Sequence, residues 1–458
     1  MPLVFVGIGI IVLLILMMKF KFNAFLSLLI TSFVVGLLNS MGLVSVLNSI
    51  LKGIGDTMGS IVLILVFGAM LGKLIEESGA AHTITYKLTE LFGLKNIQYA
   101  VLVTGFLVGL PMMYNASFLV LIPLIYTLST TTRLPLMYLG IPLSAALGVA
   151  HGYLPPHPAP TYVSILYEAN INQVLLLGLI ASVPACLIAG IFLSKFFKNV
   201  DVRPPAALHE DKEFRKEELP GLGISVFTAI IPVILMLFGA VIDMVFGNNI
   251  DFVNLFSSHF DNHLVVSGLA NMMEVFKFLS NPNIALIMAV FAGMYLLGIR
   301  QGKKMDDVMN MMGKSVSTIA MIVMVISAGG AFKQVIADGG VAEYIKEIAI
   351  GINFNPLVLA WSVAAILRLA VGSATVATMT AAGIMLPIVS ATNVSPELMV
   401  IATGSGSLMF SHFNDIGFWM FKEYYNLSIK QTFSMWTVME TIIAVIGLAA
   451  ALFFSLFI

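Results

Sequence analysis

GVAHGYLPPHPAP, residues 148–160, interrupts an otherwise apolar part of the chain. Two histidines and four prolines fall within ten residues, whereas the flanking segments LMYLGIPLSAAL and ILYEANINQVLLLGLIASV are typical of membrane helices. Proline lacks a backbone N–H and stops a helix. Because unpaired backbone groups are costly in hydrocarbon, such a break is stable at depth only where it is buried in protein or faces a wet cavity. The stretch therefore predicts a broken membrane helix beside an internal cavity.

The composition is that of a polytopic membrane protein. Of the 458 residues, 59% are hydrophobic and 10% are charged, whereas a soluble chain has about 25% charged residues. Apolar runs of about twenty residues recur, which is long enough to cross a hydrocarbon core. We expect one integral membrane domain, with the first run (residues 2–20) retained as a span rather than cleaved as a signal peptide. The single cysteine excludes an intrachain disulfide, and no basic patch interleaved with aromatic residues suggests nucleic acid.

The apolar runs predict an all-α fold of ten transmembrane helices and two helical hairpins. Two stretches, 97–130 and 355–392, are interrupted near their middles at PMMYNAS and VGSAT. Each forms either a re-entrant hairpin or two full crossings, and counting every arm gives fourteen hydrophobic segments. The ten crossings are predicted at about 3–18, 23–40, 58–75, 136–168, 172–194, 223–246, 283–299, 314–337, 396–426 and 433–457.

The distribution of Lys and Arg favours one orientation, since cytoplasmic loops collect these residues. With the N-terminus outside, 18 of the 23 lie in or beside cytoplasmic segments, four lie outside, and Arg368 lies within the second hairpin. If 97–130 were one kinked crossing, the membrane orientation of every later segment would be reversed. We therefore predict that both termini face the periplasm and that the polar stretch 195–222 is a cytoplasmic linker.

Two sequence matches about 260 residues apart indicate an internal repeat. GKLIEESGAA (72–81) resembles FKQVIADGGVA (332–342), and LPLMYLGIPLSAALGVAH (134–151) resembles SPELMVIATGSGSLMFSH (395–412). Each half then has five crossings and one hairpin, and because five is odd the second copy is inverted. Inverted repeats with broken helices are the architecture of secondary transporters, whose sites lie near the bilayer midplane. We predict one transporter domain with repeats over 1–194 and 223–458.

The repeat predicts four breaks, namely two hairpin tips and two broken crossings with polar interruptions. A half-helix that begins at such a break points unpaired N–H groups and the positive end of its dipole into the cavity. Two such ends make an anion site without many charged side chains. The polar groups at the breaks would add hydrogen bonds to a carboxylate or to sugar hydroxyls. The residues predicted to bind substrate are Tyr114, Asn115, Ser117, His151, His157, Gly372, Ser373, Thr375, His412 and Asn414.

Asp415 and His157 are the predicted proton-coupling residues. Asp415 is one of few carboxylates within a span, where a charge costs roughly 2.5–3.5 kcal/mol on insertion scales, although it could instead cap the broken crossing. An imidazole, with a reference pKa of about 6.5, suits proton transfer, although it could simply bond a neighbouring carbonyl. Arg368 could bind an anion, extend its charged end to the membrane–water interface or form a structural ion pair. The sequence leaves these roles open.

Several segments resemble the signature segments of the gluconate permease family. They are HGYLPPHPAPT (151–161), LRLAVGSATVATMTAAGI (367–384), SPELMVIATGSGS (395–407) and SHFNDIGFWMFKEYYNLS (411–428), and the resemblance covers nearly the whole chain. The family comprises bacterial inner-membrane symporters that move gluconate and related sugar acids, or in one branch D-serine, with protons. It is similar to the larger superfamily of ion transporters with paired re-entrant hairpins. The resemblance implies proton-coupled uptake of a gluconate-type acid, with no cofactor.

The chain departs from the family pattern at the first hairpin tip. Relatives often carry an acidic residue after the tyrosine and a glycine two residues later, where this chain has Asn115 and Ser117. Asparagine cannot take up a proton. If that carboxylate carries coupling in the relatives, the role here falls to Asp415 or a histidine, or the coupling ion is sodium.

The sequence leaves other substrates, another coupling ion and other functions open. D-serine or another small carboxylate, carried with protons or sodium, fits the same kind of site. A passive channel would not accumulate its substrate. An intramembrane enzyme could hold a metal on His151, His157, His412 and Asp415, although the chain has no HExxH segment and the favoured interpretation has no metal and no catalytic residue. The expected partners are a small carboxylate, a proton or sodium ion, the lipid bilayer and a second copy of the chain in a homodimer.

Overall fold

The computed structural model describes residues 2–200, 202, 219–246, 251–257, 262–340, 355–412 and 415–458. Within these ranges the chain is helical and contains no strand. The helices are α1 Pro2–Met18, α2 Ala24–Leu38, α3 Leu43–Glu77, α4 Ala80–Phe92, α5 Ile97–Gly109, α6 Tyr114–Thr132, α7 Leu136–Tyr153, α8 Pro158–Leu166, α9 Ile171–Phe196, α10 Leu222–Phe246, α11 Phe252–Ser257, α12 His263–Leu279, α13 Pro282–Gln301, α14 Met305–Asp338, α15 Pro356–Val371, α16 Ala374–Ala391, α17 Pro396–Gly406, α18 Ile416–Tyr424 and α19 Ile429–Phe454.

The helices confirm a polytopic all-α membrane protein. In the described part of the chain, nine helical spans are long and apolar enough to cross a membrane, with α7 and α8 counted as one span. The count becomes ten if α4 and α5, which are bent by 111° at the break between them, form one further span. The first arms of the two predicted hairpins are short, at 13 residues for α5 and 16 for α15. A full crossing needs about 20 residues, so these lengths suit re-entrant arms better than complete spans.

All four predicted breaks are present. The hairpin tips separate α5 from α6 and α15 from α16, and the second tip consists of only Gly372 and Ser373. The first broken crossing lies between α7 and α8, where the Pro155–Pro156 peptide is cis. The second lies between α17 and α18, in a segment that includes two residues outside the described part of the chain.

The predicted bounds were wrong at the two longest helices. α3 begins at Leu43 rather than at 58, and α14 begins at Met305 rather than at 314, so they span 35 and 34 residues. Polar residues lie between the observed and the predicted starts, and they do not end a helix when they are satisfied at its surface. Lys52 and Asp56 are exposed and pair across one turn of α3 at 2.8 Å, the spacing at which helical ion pairs form.

The two long helices pack closely against each other at glycines. A Cβ atom on Gly53 of α3 would lie 2.3 Å from the carbonyl oxygen of Gly330 on α14. Small residues allow helix backbones in membranes to approach this closely, and dispersion contacts then hold the pair together. The α3–α14 crossing thus connects the first half of the chain to the second.

Helices in the two halves begin at matching positions. The starts are at residues 97 and 356 for α5 and α15, 114 and 374 for α6 and α16, 136 and 396 for α7 and α17, and 171 and 429 for α9 and α19. This regular spacing supports the prediction of two copies, while the inversion of the second copy stays a prediction. Most of the predicted linker 195–222 lies outside the described residues.

Candidate functional site

A cavity of about 320 Å³ lies where three of the four breaks meet. We call it the primary cavity, and its volume falls in the range of about 300–1,000 Å³ that is typical of small-molecule sites. The N-terminal ends of α6, α16 and α18 line it, together with side chains of α7, α15 and α19. The lining residues that matter below are Asn115, Gly148, His151, Arg368, Thr375, Asp415 and Glu440.

Three helix N-termini lie at the wall of this cavity. α6 follows Met113, whose backbone is extended, and α16 follows Ser373, whose hydroxyl accepts a hydrogen bond from the Val376 N–H at 3.4 Å. α18 follows Asp415, whose carboxylate accepts one from the Gly417 N–H at 3.0 Å. Each helix start carries roughly half a positive charge from the aligned peptide dipoles. Three such ends around one space favour an anion there.

Arg368 adds a full positive charge to the primary cavity. It belongs to the last turn of α15, and its side chain is only 2% exposed. Nη2 donates to Oδ2 of Asp415 at 2.5 Å and Nη1 donates to the carbonyl of Gly372, while Nε has no hydrogen-bond partner among the described residues. A guanidinium matches the geometry of a carboxylate. Arg368 therefore combines a structural ion pair with an unused donor, two roles that the sequence had left open.

Asp415 has the densest set of contacts at the site. Besides Arg368 and Gly417, its carboxylate accepts a hydrogen bond from Ser411 Oγ at 2.5 Å. Ser411 Oγ in turn accepts one from Trp436 Nε1 at 2.8 Å. Asp415 is thus the cap of α18 and also the counterion of Arg368, and its three bonds are those that an ionised carboxylate accepts.

Aromatic rings form one wall of the primary cavity. The Tyr114 ring packs edge-on against Trp436, with centroids 5.6 Å apart, and lies 6.4 Å from the His151 ring. Neither the Tyr114 hydroxyl nor His151 Nδ1 has a hydrogen-bond partner in the described part of the chain. Buried polar atoms without partners are rare in native proteins, so these two atoms are candidates to bond a ligand.

A second cavity of about 360 Å³ lies on the other side of the first hairpin tip. Its lining comes from α3, α14, the tip itself and the α7–α8 break, and it includes Lys73, which pairs with Glu76 and Glu77 at 2.9 Å each. Met113 and Asn115 line both cavities. The tip between α5 and α6 is therefore the wall that separates them.

The structure brings together six of the ten residues that the sequence predicted to bind substrate. The six that line the primary cavity are Tyr114, Asn115, His151, Gly372, Ser373 and Thr375, and the predicted coupling residue Asp415 joins them.

The other four are placed differently. Ser117 is buried in α6, where its hydroxyl donates to the Met113 carbonyl at 3.1 Å. His157 lines the second cavity, with its ring centroid 5.4 Å from that of His151. His412 does not line either cavity, although its carbonyl accepts the Asp415 N–H at 2.9 Å. Asn414 lies outside the described residues.

Two charged residues of the cavity were absent from the predicted site. The sequence left the role of Arg368 open among three possibilities, and it did not single out Glu440. The available signal for Glu440 was its isolation in an apolar helix, VMETIIAVIGLAAALFF. An ionisable residue within a membrane span is a functional candidate by default.

Comparison with known proteins assigns the chain to a family. The family model of the GntP family permease matches residues 1–457. The chain belongs to this family. The match confirms the resemblance to gluconate permeases that the sequence segments indicated.

Relatives in the GntP family are similar over their full lengths. The high-affinity gluconate transporter of Escherichia coli (strain K12) is 43% identical over 456 residues, covering 100% of both chains. The Gnt-II system L-idonate transporter of the same organism is 44% identical, covering 99% of this chain and 98% of the relative. The gluconate permease of Bacillus subtilis (strain 168) is 42% identical, covering 100% of both.

Solved structures share the fold. The Alcanivorax borkumensis YdaH transporter superposes with a TM-score of 0.62 at 15% identity, over 88% of each chain. MtrF of Neisseria gonorrhoeae gives 0.62 at 16% identity, over 91% of this chain and 85% of that one. At these identities the likeness establishes the fold alone. Family membership and the apolar helical spans make the chain a multi-pass membrane transporter, and the primary cavity is its candidate site.

Family membership bears on the alternative of a metal-dependent enzyme. Within the described residues, no three His, Cys, Asp or Glu side chains are grouped as metal ligands are. Family membership favours a transporter over an enzyme.

Proposed function

We propose that this GntP family permease imports gluconate or a related sugar acid with protons across the bacterial inner membrane, with both termini in the periplasm. The observation that carries the proposal is the meeting of three helix N-termini and buried Arg368 at one cavity. Relatives named gluconate and L-idonate transporters support the substrate class. A small hydroxylated carboxylate has the anionic group and the hydroxyls that such a cavity would bond.

The proposed binding mode follows from the charges. The substrate carboxylate binds between Arg368 and the N-terminal end of α16, where the Ser373 and Thr375 hydroxyls lie. The substrate hydroxyls bond Asn115, His151 and the Tyr114 hydroxyl. In a largely buried site of this kind, each hydrogen bond has more weight than it has in bulk water.

Asp415 and His157 have different parts in the proposed coupling. Asp415 shares Arg368 with the substrate carboxylate, so substrate arrival weakens the Arg368–Asp415 ion pair. His157 faces the second cavity while its ring lies close to His151 of the primary cavity, and it relays protons between the two. The first hairpin tip moves against a dimeric scaffold, with α3 and α14 at its centre, and opens the primary cavity to alternate sides.

Uptake into proteoliposomes tests the proposal. With an imposed inward proton gradient, gluconate or another aldonate is expected to accumulate above its external concentration, which excludes a passive channel. Accumulation driven by a sodium gradient alone would contradict proton coupling. Accumulation of D-serine without any aldonate would contradict the sugar-acid assignment.

Replacing Thr375 with valine is expected to raise the gluconate KM about tenfold or more. The variant removes a hydroxyl from the primary cavity while keeping the side-chain shape, and a hydrogen bond to a charged group contributes about 1.5–3 kcal/mol. Initial uptake rates across gluconate concentrations measure the change. Ser390→Ala at the exposed far end of α16 is the matched control, and an unchanged KM for Thr375→Val would remove this residue from the site.

A further inference from the structure

We propose that Glu440 is the residue to which the co-transported proton binds, an inference that rests on the proposed proton-coupled uptake. Neither the sequence pattern at the breaks nor the family resemblance pointed to this residue. Its position in the primary cavity carries the proposal.

The carboxyl group of Glu440 is buried at the wall of the primary cavity, where the packing of α7 against α19 leaves space for it. It lies in α19 and is 2% exposed. Its Oε1 lies against α7 at Gly148, where an added Cβ would come within 2.7 Å of that oxygen. A larger residue at 148 would occupy the space that the carboxyl now fills. The close approach of α7 and α19 at this glycine thus leaves room for an acidic side chain beside the cavity.

Glu440, unlike Asp415, forms no direct ion pair with Arg368 in the described part of the chain. Oε1 of Glu440 has no hydrogen-bond partner, and no ion pair joins it to a cation within the described ranges. Arg368 donates to Asp415 and Gly372 instead. A buried carboxyl without a direct ion pair is stable when it is protonated and neutral, because burial of an unpaired charge is costly. The charged and titratable groups that face it are Tyr114 on α6, His151 and Tyr153 on α7, Cys186 beside Tyr153 on α9, Arg368 on α15 and Asp415 at the start of α18.

The charges of these groups link proton binding to substrate binding. Ionised Asp415 neutralises Arg368, so an ionised Glu440 would leave the cavity side chains with a net negative charge. A substrate carboxylate would then be repelled. When a proton binds to a Glu440 oxygen, the side chains become neutral overall, and the three helix ends attract the anion. Since linkage is reciprocal, substrate in turn favours the protonated carboxyl, and the proton leaves Glu440 on the side where the substrate leaves.

Glu440→Gln is the decisive variant, because glutamine resembles the protonated acid but cannot release a proton. In proteoliposomes the variant is expected to exchange internal for external gluconate at close to the wild-type rate, yet to lose accumulation driven by a proton gradient. Wild-type gluconate affinity is expected to fall about tenfold per pH unit above the pH at which Glu440 ionises, whereas the affinity of the variant stays constant. Glu423→Gln, at an exposed carboxylate that contacts Lys422, is the matched control.

Proton-driven accumulation by Glu440→Gln at the wild-type level would overturn the inference. If that variant does not fold, Glu440→Asp replaces it, because a shortened carboxyl withdraws from Gly148 and must shift the pH at which affinity falls. An unshifted pH profile for the aspartate variant would also overturn the inference. These outcomes differ from failure of the proposed function. If the proposed function is wrong, the wild-type protein itself accumulates no gluconate with a proton gradient.

Discussion

Replacing Arg368 with glutamine is expected to abolish gluconate uptake and to destabilise the protein by about 3–5 kcal/mol. The substitution removes the guanidinium that we propose binds the substrate carboxylate. It also leaves the Asp415 carboxylate, which is 15% exposed, with only Ser411 and Gly417 as hydrogen-bond donors. Removal of one partner from a buried ion pair is costly because the other charge stays buried without compensation. Uptake in proteoliposomes and thermal unfolding in detergent measure the two effects.

A double variant separates the structural role of Arg368 from its role in binding. Arg368→Gln combined with Asp415→Asn removes both charges, so most of the lost stability is expected to return while uptake stays abolished. Arg133→Gln, at an exposed arginine after α6, controls for general loss of positive charge. Recovery of uptake in the double variant would mean that the ion pair serves only the fold. A single variant that transports with nearly normal affinity would place the substrate elsewhere.

Gly53→Val is expected to prevent stable folding. A Cβ at this position lies 2.3 Å from the Gly330 carbonyl oxygen and 2.8 Å from the Ala331 Cα. Both are backbone atoms, so no side-chain rotation relieves the overlap, and α3 must move away from α14. The cost is expected to exceed the roughly 1–3 kcal/mol of ordinary overpacking, because the two longest helices of the protein separate. The yield of monodisperse protein and its thermal midpoint measure the effect.

The same helix offers a matched control two residues away. Gly55 is exposed, and a Cβ there meets nothing within 4 Å. Gly55→Ala is therefore expected to be neutral or to stabilise by up to about 1 kcal/mol, since alanine favours the helix over glycine. Equal yields for Gly53→Val and Gly55→Ala would contradict the close α3–α14 packing.

The breaks in the fold were predictable because they have local chemical causes. The prolines between α7 and α8 remove N–H donors, and the single glycine and serine between α15 and α16 suit a tight turn with a helix cap. The starts of α3 and α14 were not predictable in the same way. Their polar residues resemble a loop in sequence, and only the helical spacing of partners such as Lys52 and Asp56 satisfies them on a helix surface.

The site was predictable where it coincides with a break and not elsewhere. Asn115 and Ser117 were chosen together because both follow the first tip, yet residues two apart lie on nearly opposite sides of a helix. Asn115 consequently faces the cavity and Ser117 bonds back to its own helix. Arg368 and Glu440 meet the site from α15 and α19, and packing between distant segments brings them there. No local pattern encodes that contact, so the sequence left one undecided and missed the other.

A structure of the protein with bound gluconate tests the central claim most directly. We expect the gluconate carboxylate within hydrogen-bonding distance of Arg368 and of the N-terminal end of α16, with its hydroxyls toward Asn115 and His151. Gluconate bound in the second cavity beside Lys73 and His157, or at any position out of reach of Arg368, would contradict the account.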